Sequence, residues 1–129
     1  MSERYGVGVG ARRGFDAQEL AALVQAAAAR LGVDWREAAL AALETHEERR
    51  SFSRAAELLG LRIEFFPLAR LLQRKVDVLT HSPRIVAQFG VGSLAEALAL
   101  AAAGEGSRLL APRVASRNLT CAIARGGRP

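Results

Sequence analysis

Arginine is the residue type through which this chain could do chemistry. It supplies all of the 18 basic side chains except Lys75. A planar guanidinium grips a carboxylate or phosphate through two parallel bonds, so an arginine-rich face suits a polyanionic partner. The charge is uneven: residues 1–64 carry a net −1 and residues 65–129 a net +6. Gly10-Ala11-Arg12-Arg13-Gly14 sets two guanidiniums in a loop that leads into a helix. Ser82-Pro83-Arg84 opens a later helix, and Gly90-Val91-Gly92-Ser93 opens another, with Glu96 three residues on. Arg113 follows a proline in the basic half. Backbone N–H groups at such helix starts attract anions. The glycines serve a tight turn equally well, and an Arg-for-Lys bias alone leaves a solvated basic face; both alternatives stay open for any single residue.

Other chemistries find less support. Gly8-Val9-Gly10-Ala11-Arg12-Arg13 has arginine where a dinucleotide fingerprint needs its third glycine, and no Gly-Lys-Ser/Thr is present for a P-loop. The loop therefore suits carboxylates or a lone phosphate better than a dinucleotide. His46, Glu47 and Glu48 are adjacent and lack the spacing that puts metal ligands on one face. A solvated helix start, with acids favourable to the dipole, accounts for them better. Cys121 alternates with Leu119 and Ile123 and has no histidine at a motif spacing, so it is expected as a core thiol. No nucleophile–base pair and no paired carboxylates stand out, so no catalytic residue, metal or cofactor is assigned.

The elements that must hold these residues are well marked. Arg4 to Gly10 alternates valine with glycine, which predicts a strand with one open face that a helix or a ligand approaches closely. Asp16 and Glu19 form a capping box, with Phe15 and Leu20 placed as a staple. Leu20, Leu23, Val24, Ala27 and Leu31 then keep one helix face until Gly32. Asp34 to Glu37 starts a short turn. Ala38 to Leu43 either continues it as helix or forms a second strand. A helix with Phe52, Ala55, Ala56 and Leu59 on one face ends at Gly60. Leu61 to Phe65 alternates as a strand, and Pro67 opens a short helix to about Arg74.

Ser82 and Pro83 start a helix that ends at Phe89, with Gly90 left-handed. Ser93-x-x-Glu96 is a capping box for a helix running to Ala103, whose Ala95, Ala99, Ala102 and Ala103 give it a side without bulk. Arg108–Arg113 and Leu119–Arg125 predict two strands joined by a hairpin loop at 115–118, and Gly126–Pro129 a frayed tail. This alternation predicts an α/β fold: a single layered domain over residues 1–129, with a mixed sheet of about five strands flanked by helices.

Half the residues are hydrophobic and 24% charged, ordinary for a soluble domain with its own core. One cysteine excludes an internal disulfide framework. The N-terminus shows no signal-peptide pattern, and the longest apolar stretch, Ala97 to Ala103, is too short to span a membrane. A cytoplasmic location is expected. Only seven aromatic side chains, with no basic–aromatic interleaving, disfavour a nucleic-acid partner.

Four blocks, in order and along nearly the whole chain, resemble the CobE/CbiG C-terminal domain family of cobalamin (vitamin B12) biosynthesis. They are Gly8 to Gly14, Ser82-Pro83-Arg84, Gly90-Val91-Gly92-Ser93-Leu94-Ala95-Glu96-Ala97 with Leu98-Ala99-Leu100, and Pro112-Arg113 leading to Thr120–Arg125. There are departures. The family often has cysteine where Ala11 stands, and commonly lysine where His46 and Arg113 fall.

The resemblance implies a precorrin or cobalt-precorrin ligand, a large ring edged with acetate and propionate carboxylates, and pathway enzymes as further partners. It implies a ligand-binding set of Gly10, Arg12, Arg13, Gly14, Ser82, Arg84, Gly90, Gly92, Ser93, Glu96 and Arg113. In CbiG the full enzyme opens a lactone ring and releases acetaldehyde, and its additional N-terminal part has no counterpart here. The expectation is a protein that binds, hands over or helps process a polycarboxylate intermediate. Stand-alone hydrolysis or lyase action on a precorrin lactone is the alternative, with nucleic-acid binding behind it.

Overall fold

The alternation of valine and glycine does form the first strand, β1 (Tyr5–Ala11), at the centre of a mixed sheet. The computed structural model describes residues 5–127. The expected role of Arg4 in that strand and the last two residues of the expected frayed tail lie outside the described residues. The chain continues through α1 (Ala17–Leu31), β2 (Ala38–Leu43), α2 (Arg49–Leu59) and β3 (Ile63–Phe66). It then runs through α3 (Leu68–Leu72), α4 (Pro83–Phe89), α5 (Leu94–Ala103), β4 (Arg108–Leu109), β5 (Val114–Ala115) and β6 (Leu119–Arg125). The sheet has six strands in the order β3-β2-β1-β6-β4, with β5 also on β6. β1, β2 and β3 are parallel, and β6 runs antiparallel to β1 with Val9 opposite Cys121 and Gly10 opposite Thr120.

Ala38–Leu43, open between helix and strand in the sequence, is a strand buried along its whole length. Covered on both faces, it has no polar alternation to reveal it. α1 and α2 cover one face, over Val7, Val9, Leu40, Cys121 and Ile123. α5 covers the other, over Ala41, Ala122 and Ala124. The open side of β1 explains how closely α5 sits. A Cβ on Gly6 would strike Ala99 O and Ala103 N, and one on Gly8 would strike Ala95 O and Ala99 N. The bulk-free side of α5 therefore packs backbone to backbone on the glycine side of the strand.

Two local expectations need correction. Asp16 caps α1 by accepting the Gln18 N–H at 2.8 Å, one residue short of the Glu19 N–H of a capping box. The strand expected over Arg108–Arg113 is broken into β4 and β5. Pro112 has no N–H to give to the ladder, and the Arg113 N–H goes to the Glu96 carboxylate at 2.8 Å instead of to β6. Among the described residues no single helix is long and apolar enough to cross a membrane; α4 and α5 qualify only as a pair bent by 64°.

Candidate functional site

Gly10 lies beyond the start of α5, so the helix that covers β1 at Gly6 and Gly8 does not cover it there; the side chain of Thr120, on the neighbouring strand, lies beside it instead, its Oγ1 2.6 Å from where a Cβ would stand. Gly10 forms the floor of a cleft of about 550 Å³, which lies past the carboxyl ends of β1 and β2. Ligands of open α/β sheets favour that crevice. Three segments wall it. The β1–α1 loop brings Arg12 and Arg13, α4 brings Arg84, Ile85, Gln88 and Phe89, and the chain around the β5–β6 hairpin brings Arg113, Arg117 and Thr120. Leu43, Phe52, Leu94 and Leu98 back it with apolar surface. The Arg12 N–H donates to Asn118 O at 2.9 Å, which ties the loop to the hairpin.

Cations and an apolar wall thus share one concave surface. Among the described residues, the side chains of Arg12, Arg84, Arg113 and Arg117 have no hydrogen-bond or ion-pair partner. Elsewhere several arginines are consumed locally, while among the described residues the side chains of Arg30, Arg50, Arg108 and Arg125 are as unpaired as the cleft four. Arg36 pairs with Asp34 at 2.9 Å, and Arg74 holds Asp77 and Ser107. Arg49 and Arg70 lie over the rings of Phe65 and Phe66.

The junction before α2 was expected to be a solvated helix start, and it is more than that. Glu47 pairs with Arg13 at 2.9 Å, and Glu48 accepts the Gly14 N–H at 2.6 Å. The two acids thereby fix the shape of the β1–α1 loop. His46 is half-buried on the cleft lining, packed edge-on against Phe52 at 4.8 Å. Its Nε2–H donates to Ala11 O at 2.9 Å, and its Nδ1 accepts the Glu48 N–H at 3.1 Å. A carbonyl only accepts, so these contacts place a proton on Nε2 and leave Nδ1 as the acceptor. Both ring nitrogens are engaged by the backbone.

Of the residues singled out in the sequence, Gly10, Arg12, Arg13, Arg84 and Arg113 come together on the cleft. Gly14 closes the adjoining loop. The others hold the walls in shape. Ser82 caps α4 by accepting the Ile85 N–H, and Gly90 ends that helix at φ 80°. Gly92 is buried against the Thr80–His81 backbone, where a Cβ would lie 2.8 Å from His81 Cα. Ser93 is buried and accepts the Glu96 N–H at 3.2 Å.

Glu96 departs most from expectation. It is fully buried, and its carboxylate turns away from Ser93 to accept four other bonds. It cannot touch a ligand in the cleft. Burial alone would raise its pKa. The bonds from the Thr80 hydroxyl and from the N–H groups of Arg113, Thr80 and Leu79 outweigh that and hold it below the ordinary 4.5. The pattern Ser-x-x-Glu could not reveal this, since its partners lie 16 and 17 residues away on either side. Arg117 and Phe89 were also missed as cleft residues. Burial pushes the Cys121 thiol up to about 12, as fits an inert core thiol.

The family described as "Cobalamin synthesis G C-terminus" matches residues 5–124. The chain belongs to this CbiG C-terminal family. CobE, described as a protein from the cobalamin (vitamin B12) biosynthetic pathway, superposes with a TM-score of 0.88 at 29% identity, over 97% of this chain and 92% of its own. The cobalamin biosynthesis protein ChiG from Agrobacterium tumefaciens gives 0.78 at 33% identity, over 96% and 99%. A cobalamin biosynthesis protein G homolog from Sulfolobus solfataricus gives 0.66 at 21% identity, over 95% of this chain but only 37% of its own. No curated protein sequence matches the chain. Membership of the CbiG C-terminal family makes this a protein of cobalamin biosynthesis.

Proposed function

We propose that this member of the CbiG C-terminal family binds a precorrin or corrin intermediate in the arginine-lined cleft, gripping carboxylates on the ring edge. One observation carries the proposal. Four cleft guanidiniums, from three separate segments, converge on one concave surface without pairing with the protein's own acids, while an apolar wall stands beside them. A ring with an apolar face and an anionic edge has the complementary pattern. An exposed arginine–carboxylate pair contributes roughly 0.2–1 kcal/mol, so several must act together with apolar burial. Binding rather than turnover fits the cleft's histidine, whose nitrogens are both committed to backbone groups. The protein would then hold an unstable intermediate or hand it to another enzyme of the pathway.

A visible-absorption titration with cobyrinic acid (a corrin polycarboxylate) and with precorrins, followed by gel filtration, tests this. The expected result is a shifted spectrum and pigment that co-elutes with the protein. A new product spectrum would make the protein an enzyme. Absence of retained pigment would overturn the proposal.

A further inference from the structure

Two of the free cleft arginines stand on segments tied to a single side chain. Glu96 Oε1 accepts the N–H groups of Leu79 and Thr80 at 2.6 and 2.9 Å. Glu96 Oε2 accepts the Thr80 hydroxyl at 2.5 Å and the Arg113 N–H at 2.8 Å. Thr80 begins the lead into α4, and Arg84 follows within that helix. α4 has no fully buried residue; Phe89, at its far end, is half-buried against the core, and the start of the helix, where Arg84 stands, has no such anchor. The base of α4 is closed by the Ser82 N–H donating to Gly92 O at 3.0 Å, four residues before Glu96. Arg113 lies where β4 and β5 separate, and its backbone is held by the same carboxylate. Arg12 and Arg13 are fixed by other means, through Asn118, Glu47 and Glu48.

We infer that Glu96 is a positioning residue for the binding cleft, setting Arg84 and Arg113 at the separation a polycarboxylate edge requires. It acts from beneath the cleft, without contact with the ligand. A neutral amide could not do the same. An ionised carboxylate accepts at all four sites, whereas an amide accepts at one oxygen only and leaves donors facing donors. The inference rests on the proposed cleft function and names how that site is preorganised.

The test is a double-mutant cycle read by cobyrinic acid affinity. Glu96→Gln is expected to weaken binding roughly three- to ten-fold in the wild-type background and in Arg12→Ala. In the Arg84→Ala/Arg113→Ala background it is expected to have almost no further effect, because the residues through which it acts are gone. A merely structural role would lower affinity alike in every background. Should Glu96→Gln fail to fold, Thr80→Val removes one donor and leaves the carboxylate in place. It should show the same background dependence, and Thr80→Ser should restore binding. A Glu96→Gln protein that binds as wild type, or a penalty undiminished without Arg84 and Arg113, overturns the positioning role. Wild-type protein that fails to bind cobyrinic acid overturns the cleft function itself, so the two failures are distinct.

Discussion

Arg12 and Arg84 reach the cleft from different elements, and neither side chain is used to hold the chain together. Replacing either with alanine should therefore cost binding and spare the fold. The expected loss is roughly 0.2–1 kcal/mol each against cobyrinic acid, up to about five-fold in Kd. Stability in denaturant should stay within about 0.5 kcal/mol of wild type, as for exposed positions generally. Arg36→Ala, which removes a pair with Asp34 outside the cleft, should leave affinity unchanged. Equal affinity in all three variants would dispose of the cation-lined site.

Glu96 adds a pH dependence of known sign. Its folded pKa lies below the ordinary 4.5, so the unfolded chain takes up its proton first as pH falls. The stability it contributes is whole above that value and is lost as the pH drops through the folded pKa. The stability advantage of wild type over Glu96→Gln should accordingly shrink in denaturant melts below pH 4.5. A constant difference down to strong acid would mean that the charged form is not what the four donors hold.

At the scale of elements, the docking of α5 on β1 is the most exacting contact in the fold. Gly8→Ala would press a methyl group into the backbone at Ala95 and Ala99, neither of which can rotate away. Overpacking of this kind costs roughly 1–3 kcal/mol or more, and a thermal melt should fall by several degrees. An unchanged melting temperature would contradict the close approach. The sequence announced this contact, because valine–glycine alternation and a helix with alanines on one side are both local patterns. It announced the ends of α4 and α5 as well, through Ser82, Pro83, Gly90 and Ser93. What stayed hidden depends on distant partners. β2 is apolar on both faces and shows no period. β4 and β5 part because the Arg113 N–H is drawn to a carboxylate from another element. His46 looked solvated because Phe15 and Phe52, which pack around it, come from the two helix starts on either side.

For the whole molecule, the net charge of +5 and its concentration after residue 64 were plain from composition. Which arginines converge was not, since Arg12, Arg84, Arg113 and Arg117 meet only through the sheet order and the crossing to α5. Charge alone would attract any polyanion, nucleic acid included, and the apolar wall is what distinguishes the cases. Raising NaCl from about 0.1 M to 1 M shortens the screening length from about 10 Å to about 3 Å. A partner held by charge alone should then be released, as duplex DNA is from a basic surface. In the proposed mode of binding, cobyrinic acid should weaken several-fold yet remain bound, because its ring would also bury the apolar wall of Phe89, Leu94 and Leu98. Complete release of the pigment at 1 M NaCl would reduce the cleft to a cationic surface. Retention of duplex DNA under the same conditions would instead return the basic half to a nucleic-acid role.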